Sequence, residues 1–234
     1  MTHQVVAEQL AHRLQHVYQH WEKRRRMAPL PAPASLGGLH AFSIAISREA
    51  GTNGTLIAQE VGKRLNWPVY DHQLLERISE DMGIQTKLLE TVDEKQVSWL
   101  QEAFEAAFAV PRVPELGYVH HLIKTVLALG IHGECVIVGR GAPYILPPAA
   151  TLRVRLVAPL HDRIATISKD LTMSHEEARR HVEALDAERR HFVLNYFHKD
   201  PSDLRHYDLI INTARFSVTT SAGVIAHAAR SLQP

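Results

Sequence analysis

Arg48, Gly51, Thr52, Asn53, Gly54 and Thr55 stand together directly after the apolar run Ser43-Ile44-Ala45-Ile46. A strand, a tight turn and a helix start, in that order, turn backbone N–H groups and a helix N-terminus toward an anion. Gly51 and Gly54 allow close approach of the backbone. Thr52, Asn53 and Thr55 are small hydrogen-bonding residues. If the helix starts at Gly54, Thr55 holds the place of a Mg2+-ligating hydroxyl. The usual triphosphate-binding loop closes on Gly-Lys-Ser/Thr. This turn has no lysine, and its nearby cation is Arg48. An ordinary βα turn with N-cap residues has the same spacing, so spacing alone leaves both readings open.

A second group is Gly139-Arg140-Gly141, which follows the apolar run Cys135-Val136-Ile137-Val138. Flanking glycines give an arginine room to reach a ligand, and a guanidinium binds phosphate bidentately. The alternative is a surface arginine in a flexible turn. Farther along, Arg163, Arg179, Arg180, Asp186, Arg189 and Arg190 fall on two helical stretches. Asp186 and Arg189 share a helical face at a three-residue spacing. They suit a surface ion pair, or an acceptor and a cation presented to a nucleotide.

The elements that must position these residues follow from periodicity. Strands are expected at Phe42–Ser47, Trp67–Tyr70, Glu134–Val138, Leu152–Val157 and Tyr207–Asn212. Helices are expected from the glycine turn to Leu65, through Leu74, Leu75 and Ile78, and from Gln85 into the Phe104–Phe108 region. Further helices are expected over about 116–131, 160–170, 174–197 and 218–232. Continuous apolar strands alternating with helices indicate a parallel sheet covered on both faces. Ligands of such sheets bind beyond the carboxyl ends of the strands. Ser47-Arg48, Asp71, Gly139-Arg140-Gly141 and Asn212 all lie at such ends.

Ahead of the first strand, Val5, Leu10, Leu14, Val17 and Trp21 recur at helical spacing and end in the basic run Lys23-Arg24-Arg25-Arg26. Pro29, Pro31, Pro33 and Gly37-Gly38 then form a linker. Residues 1–40 are therefore expected to form a helical arm with a Pro/Gly linker, a candidate for packing on a second copy of the chain.

Composition bounds the rest. With 234 residues and 45% hydrophobic content the chain can bury a sizeable core. Lys+Arg numbers 26 against 25 for Asp+Glu, which argues against bulk electrostatic binding of nucleic acid. The single cysteine, Cys135, excludes an internal disulfide and lies in an apolar run as a buried strand residue would. The sixteen histidines are scattered, and the adjacent pair His120-His121 points to different helix faces, which makes a poor metal site. No apolar run has the length of a membrane span and the N-terminus lacks a signal-peptide core, so the expectation is a cytoplasmic protein without membrane contact.

Taken in order, Ser-Arg-Glu-x-Gly-x-x-Gly-x-x-Ile-Ala at 47–58 and Pro-Val-Tyr-Asp-x-x-Leu-Leu at 68–75 resemble the cytidylate kinase-like family of P-loop nucleotide kinases. So do Val-Ile-Val-Gly-Arg-Gly-Ala-x-Tyr-Ile-Leu at 136–146, Ala-Pro-Leu-x-Asp-Arg-Ile at 158–164 and Tyr-Asp-Leu-Ile-Ile-Asn-Thr at 207–213. The matches cover about residues 42–230 and leave the arm outside. The resemblance implies a three-layer α/β/α P-loop NTPase fold over 41–234. It would have a five-stranded parallel sheet, a helical monophosphate-binding region at about 71–132 and a helical lid at about 160–198.

The reaction so implied moves the γ-phosphoryl of ATP, with Mg2+, to a nucleoside monophosphate such as CMP or dCMP. Gly51, Thr52, Asn53, Gly54 and Thr55 would cradle the donor phosphates, with Thr55 toward Mg2+. Arg48, Arg163, Arg179 and Arg180 would serve catalysis. Asp71, Arg140, Asp186 and Arg189 would face the acceptor. Two departures stand out. Gly54 takes the place of the family's loop lysine and Arg48 that of its first glycine. Val138 and Gly141 occupy the positions of aspartates that flank the Gly-Arg element. The alternatives are a phosphotransferase with another small acceptor, and a non-catalytic nucleotide-binding or regulatory, oligomeric protein of the same fold.

Overall fold

Ile44, Ala45 and Ile46 are fully withdrawn from solvent, and so are Val136, Ile137 and Val138 beside them. Runs of this kind form strands only where both faces are covered. A computed structural model describes residues 3–27, 42–90, 92 and 116–233. In it β1 (Ser43–Arg48), β2 (Val69–Tyr70), β3 (Val136–Val138), β4 (Thr151–Val157) and β5 (Leu209–Asn212) form one sheet in the order β2-β3-β1-β4-β5. β1 pairs in parallel with β3 and with β4, and β4 with β5. The register sets Ile46 beside Val138, Ser47 beside Arg155 and Arg48 beside Leu156. The five-stranded parallel sheet of a P-loop kinase fold is thus present.

The helices are α1 (His3–Met27), α2 (Gly54–Leu65), α3 (His72–Glu80), α4 (Met82–Glu90), α5 (Leu116–His132), α6 (Ala142–Ile145), α7 (Leu160–Leu171), α8 (His175–Phe197) and α9 (Val218–Leu232). The expected run of the second helical stretch into Phe104–Phe108, with Trp99, lies outside the described residues, as does the Pro/Gly linker. β2, β3 and β5 each start two residues later than periodicity suggests. β3 starts late because Gly133 and Glu134 both take positive φ, 62° and 47°, and form a turn.

Residues divide into two compact units, Ser43–Val69 with Val136–Pro234, and Met1–Phe42 with Tyr70–Cys135. In the first, α2 buries Ile57, Ala58, Val61 and Gly62, one stripe of a helix. A side chain at Gly62 would meet Val69 at 2.4 Å, so glycine is what lets the helix lie on its neighbour. Helix α8 starts from a capping box in which Ser174 and Glu177 satisfy each other's backbone N–H groups. A small core of Ala50, Ile164, Ala178 and Val182 ties the glycine turn to α7 and α8.

In the second unit, α3, α4 and α5 pack around Leu74, Leu75, Ile78, Leu88, Leu122 and Ile123. Asp71 caps α3 by accepting the Leu74 N–H at 3.1 Å. Helix α1 belongs to this unit. Its Trp21 is 1% exposed, stacks on His132 and donates its indole N–H to the Tyr70 hydroxyl at 2.9 Å. Arg13 of α1 pairs with Asp71 at 2.9 Å. The buried side chains of the arm are thus covered by the same chain. Trp21→Phe keeps one aromatic ring but removes the N–H and part of the buried indole volume, and is expected to lower stability by about 2 kcal/mol or more. A denaturant midpoint that falls at constant slope checks this.

Candidate functional site

Past β1 the chain turns through Glu49, Ala50, Gly51, Thr52 and Asn53 into α2. Gly51 has φ 80° and Asn53 φ 55°, both left-handed. A Cβ at Gly51 would lie 2.5 Å from the Arg163 carbonyl oxygen, so this glycine seats the turn against α7. Thr52 is buried and donates its hydroxyl to the Glu49 carbonyl at 2.8 Å. The α2 N-cap, Asn53, makes no side-chain cap. Among the described residues the N–H groups of Asn53, Gly54 and Thr55 have no protein acceptor. A helix start left in this state is suited to an anion.

Charge is distributed unevenly around this turn. The Glu49 carboxylate accepts the Ala158 N–H at 3.1 Å and faces Arg163 at 3.3 Å and Arg155 at 3.9 Å. Asp186 accepts the Ala50 N–H at 2.8 Å with one oxygen and binds the Arg163 guanidinium with the other. Arg163, 8% exposed, also donates to the carbonyls of Ala158 and Ala50, at 3.0 and 3.2 Å. Both carboxylates nearest the turn are therefore committed to one buried arginine and to backbone.

Arg48 takes a different course. A Cβ built on Gly54 would lie 3.0 Å from its Cγ, and one built on Gly139 would lie 2.1 Å from its Nη1. Its stem thus crosses the start of α2 and its guanidinium rests on the turn after β3. That turn is strained: Gly139, Arg140 and Gly141 all have positive φ, and Arg140 at 50° is not a glycine. Gly141 is required because a Cβ there would enter the Phe197 ring at 2.2 Å. Arg140 lies over the Phe192 ring at 5.6 Å.

Arg189 of α8 donates to the Arg48 carbonyl at 3.4 Å. Burial lowers its pKa, the charges of Arg155 and Arg140 push the same way, and Asp186 and Glu188 oppose them. Arg155 of β4 donates to the Ser47 hydroxyl at 2.7 Å and lies over the Tyr207 ring at 5.8 Å. The Tyr207 and Tyr144 hydroxyls are 2.7 Å apart.

Burial, and then the bond to Tyr207, raises the pKa of Tyr144 well above the usual phenol value. A phenol that holds its proton more tightly when folded contributes stability below pH about 10 and loses that contribution as pH rises beyond it. Burial raises Tyr70 in the same way, so alkaline titration is expected to show at least two of the six tyrosines ionising only as the fold is lost, and Tyr144→Phe to lower that number by one.

The sequence profile of the cytidylate kinase-like family matches residues 43–215, from the first residue of β1 to just past β5. The chain belongs to the cytidylate kinase-like family. Among curated relatives, a cytidylate kinase of Methanopyrus kandleri is 31% identical over 36% of this chain and 49% of its own length. The chain thus spans about half of that relative. A cytidylate kinase of Pyrobaculum islandicum is 27% identical over 75% of this chain and 85% of its own length. A solved structure of an uncharacterized protein from Eubacterium ventriosum superposes with a TM-score of 0.63 at 24% identity, covering 81% of this chain and 98% of that one. The last likeness concerns the fold alone.

Within this cytidylate kinase-like chain, the residues singled out from sequence fall into four sets. Arg48, Gly51, Thr52, Asn53, Gly54, Arg140, Arg163, Asp186 and Arg189 lie in one unit around the glycine turn and the Gly-Arg-Gly turn. Thr55, at the second position of α2, is exposed. Arg179 and Arg180 lie on the exposed face of α8, paired with Glu183 at 3.9 Å and Glu176 at 3.3 Å. Asp71 belongs to the other unit, where it caps α3 and pairs with Arg13. The sequence pattern assigns no chemical role to Arg155, Tyr144 and Tyr207. The available signal was in β4, where Arg153 and Arg155 alternate with the buried Leu152, Val154 and Leu156. No described helix is long and apolar enough to cross a membrane.

Proposed function

We propose that the protein transfers the γ-phosphoryl group of ATP to a nucleoside monophosphate, with CMP and dCMP the first acceptors to test. The observation that supports this reading is an uncapped α2 start crossed by the stem of Arg48, whose guanidinium rests on the neighbouring turn after β3. Phosphoryl transfer depends on positioning and on positive charge at the phosphoryl oxygens, and needs little covalent chemistry from the protein. The N–H groups of residues 53–55 would take donor phosphate oxygens. Arg48 would supply the charge that the family's lysine gives elsewhere. Arg140 and Arg189 would face the acceptor phosphate. Mg2+ keeps most of its ligands as water and phosphate oxygens, so the exposed Thr55 hydroxyl suits it as a single protein ligand. The names of the archaeal relatives support a pyrimidine acceptor.

A coupled assay of ADP formation from Mg-ATP across the common nucleoside monophosphates tests this, run beside an ATP titration. Turnover with a cytidine monophosphate is the expected result. ATP binding without turnover on any acceptor removes the transferase reading.

One observation favours a second reading, a nucleotide-binding protein without transfer. Asp186 occupies the Ala50 N–H and fixes Arg163, which leaves a turn already held by its own side chains. ATP binding with no ADP release would select it.

A further inference from the structure

We propose that Arg13, on the N-terminal helix α1, is a positioning residue for the acceptor and acts through the carboxylate of Asp71. The proposal rests on the reading that the acceptor is a nucleoside monophosphate and that Asp71 faces it.

The family profile begins at residue 43, so α1 lies outside it. Yet α1 belongs to the same compact unit as α3, α4 and α5, which lie in the region expected to hold the monophosphate. It grips two consecutive residues there. Trp21 donates to the Tyr70 hydroxyl at 2.9 Å, and Nη2 of Arg13 lies 2.9 Å from Oδ2 of Asp71. Tyr70 is the last residue of β2, and Asp71 is the N-cap of α3. Ligands of parallel sheets bind beyond such strand ends.

Arg13 is set in place by residues farther along its own helix. Val17 and Trp21, about one and two turns on, are both buried. His20 contacts the Gly133 carbonyl at 3.2 Å, and the Lys87 ammonium lies over the Tyr18 ring at 4.1 Å. Contacts to β2, to α4 and to the turn after α5 thus fix the helix, and with it the direction from which Arg13 approaches.

The pairing does two things to Asp71. Oδ1 accepts the Leu74 N–H at 3.1 Å while Oδ2 takes Arg13, so the carboxylate is held in one orientation. Each oxygen of an ionised carboxylate accepts more than one hydrogen bond, so donors of a ligand still find lone pairs. Arg13 also balances the charge. A phosphomonoester dianion brought up to a bare carboxylate is repelled, and at 13% side-chain exposure water screens that repulsion poorly. Paired with Arg13, Asp71 offers hydrogen-bond acceptors without a net negative charge.

The test uses the full chain, steady-state kinetics with CMP and Mg-ATP, and calorimetry with each nucleotide alone. Arg13→Gln is expected to raise the KM for CMP about fivefold, the kinetic equivalent of a part-exposed ion pair, with kcat and ATP affinity unchanged. Arg13→Lys restores the charge and is expected to recover most of the loss. In an Asp71→Asn background, Arg13→Gln is expected to have no further effect on CMP, because its route is gone. CMP, and not ATP, is also expected to shift the Arg13 Nε–H resonance of the unsubstituted protein, a readout that stands even if a variant does not fold. Wild-type CMP kinetics in Arg13→Gln, a parallel loss of CMP and ATP affinity, an undiminished effect in the Asp71→Asn background or an unmoved resonance each overturns the proposal, and turnover in the wild type then leaves the transferase reading in place. CMP binding that depends on Arg13 in a protein that forms no ADP removes the transferase reading and leaves Arg13 its role. A wild type that neither binds nor phosphorylates any nucleoside monophosphate removes both.

Discussion

Arg163→Ala is expected to lower stability by about 3 kcal/mol, the lower end of what breaking a buried ion pair costs. The guanidinium is 8% exposed and is the common partner of Glu49, Asp186 and two backbone carbonyls. Removing it leaves Asp186 with the Ala50 N–H, and Glu49 with the Ala158 N–H and Arg155 at 3.9 Å, as compensation. The loss should read as a fall of roughly 6–12 °C in the midpoint of thermal unfolding for a chain of this size. Because Asp186 also holds the Ala50 N–H, the glycine turn is expected to loosen, and amide exchange at Ala50 and Gly51 to accelerate. Arg163→Lys should recover only part of the loss, since one ammonium cannot reach all of these acceptors in their plane. An Arg163→Ala variant with unchanged melting and lost turnover would instead show an arginine that acts on substrate.

Arg48→Ala is expected to do the reverse, leaving melting nearly unchanged and cutting turnover by 10²–10³, about 2.7–4 kcal/mol of transition-state stabilisation. Its stem crosses the start of α2 and its guanidinium rests at Gly139, while Arg163, Arg155 and the Ala158 N–H are grouped on Glu49. Under the proposed function Arg48 would supply charge to a ligand at the α2 start. Comparing kcat/KM of Arg48→Ala and Arg48→Lys with their melting midpoints separates the two roles. Melting that falls sharply with kinetics unchanged would assign Arg48 to structure.

Much of this arrangement was legible in the sequence because it depends on local pattern. The apolar runs at 44–46 and 136–138 have no polar interruption, so they mark strands covered on both faces. The glycine turn and the Gly-Arg-Gly element announce themselves by residue types that few other contexts require. What stayed hidden depends on contacts between distant segments. Arg163 is an ordinary helical arginine until Asp186 and Glu49 are folded onto it. Gly51 reads as a residue for phosphate, yet its neighbour is the Arg163 carbonyl. Arg179 and Arg180 have the same local signature as Arg189, and only the rotation of α8 separates the exposed pair from the part-buried residue. The docking of Trp21 on Tyr70 and His132 likewise needs the tertiary structure, because α1 alone shows only a narrow apolar stripe.

The passage of the Arg48 stem over Gly54 also constrains how this loop can change. A Cβ at position 54 meets the Cγ, Cβ and Cδ of Arg48 at 3.0, 3.1 and 3.2 Å, so a side chain there requires the arginine stem to give by a few tenths of an ångström. Lysine at 54 and arginine at 48 would thus compete for neighbouring space. Residues in contact of this kind couple, so exchanging both is expected to differ from the sum of the two single changes.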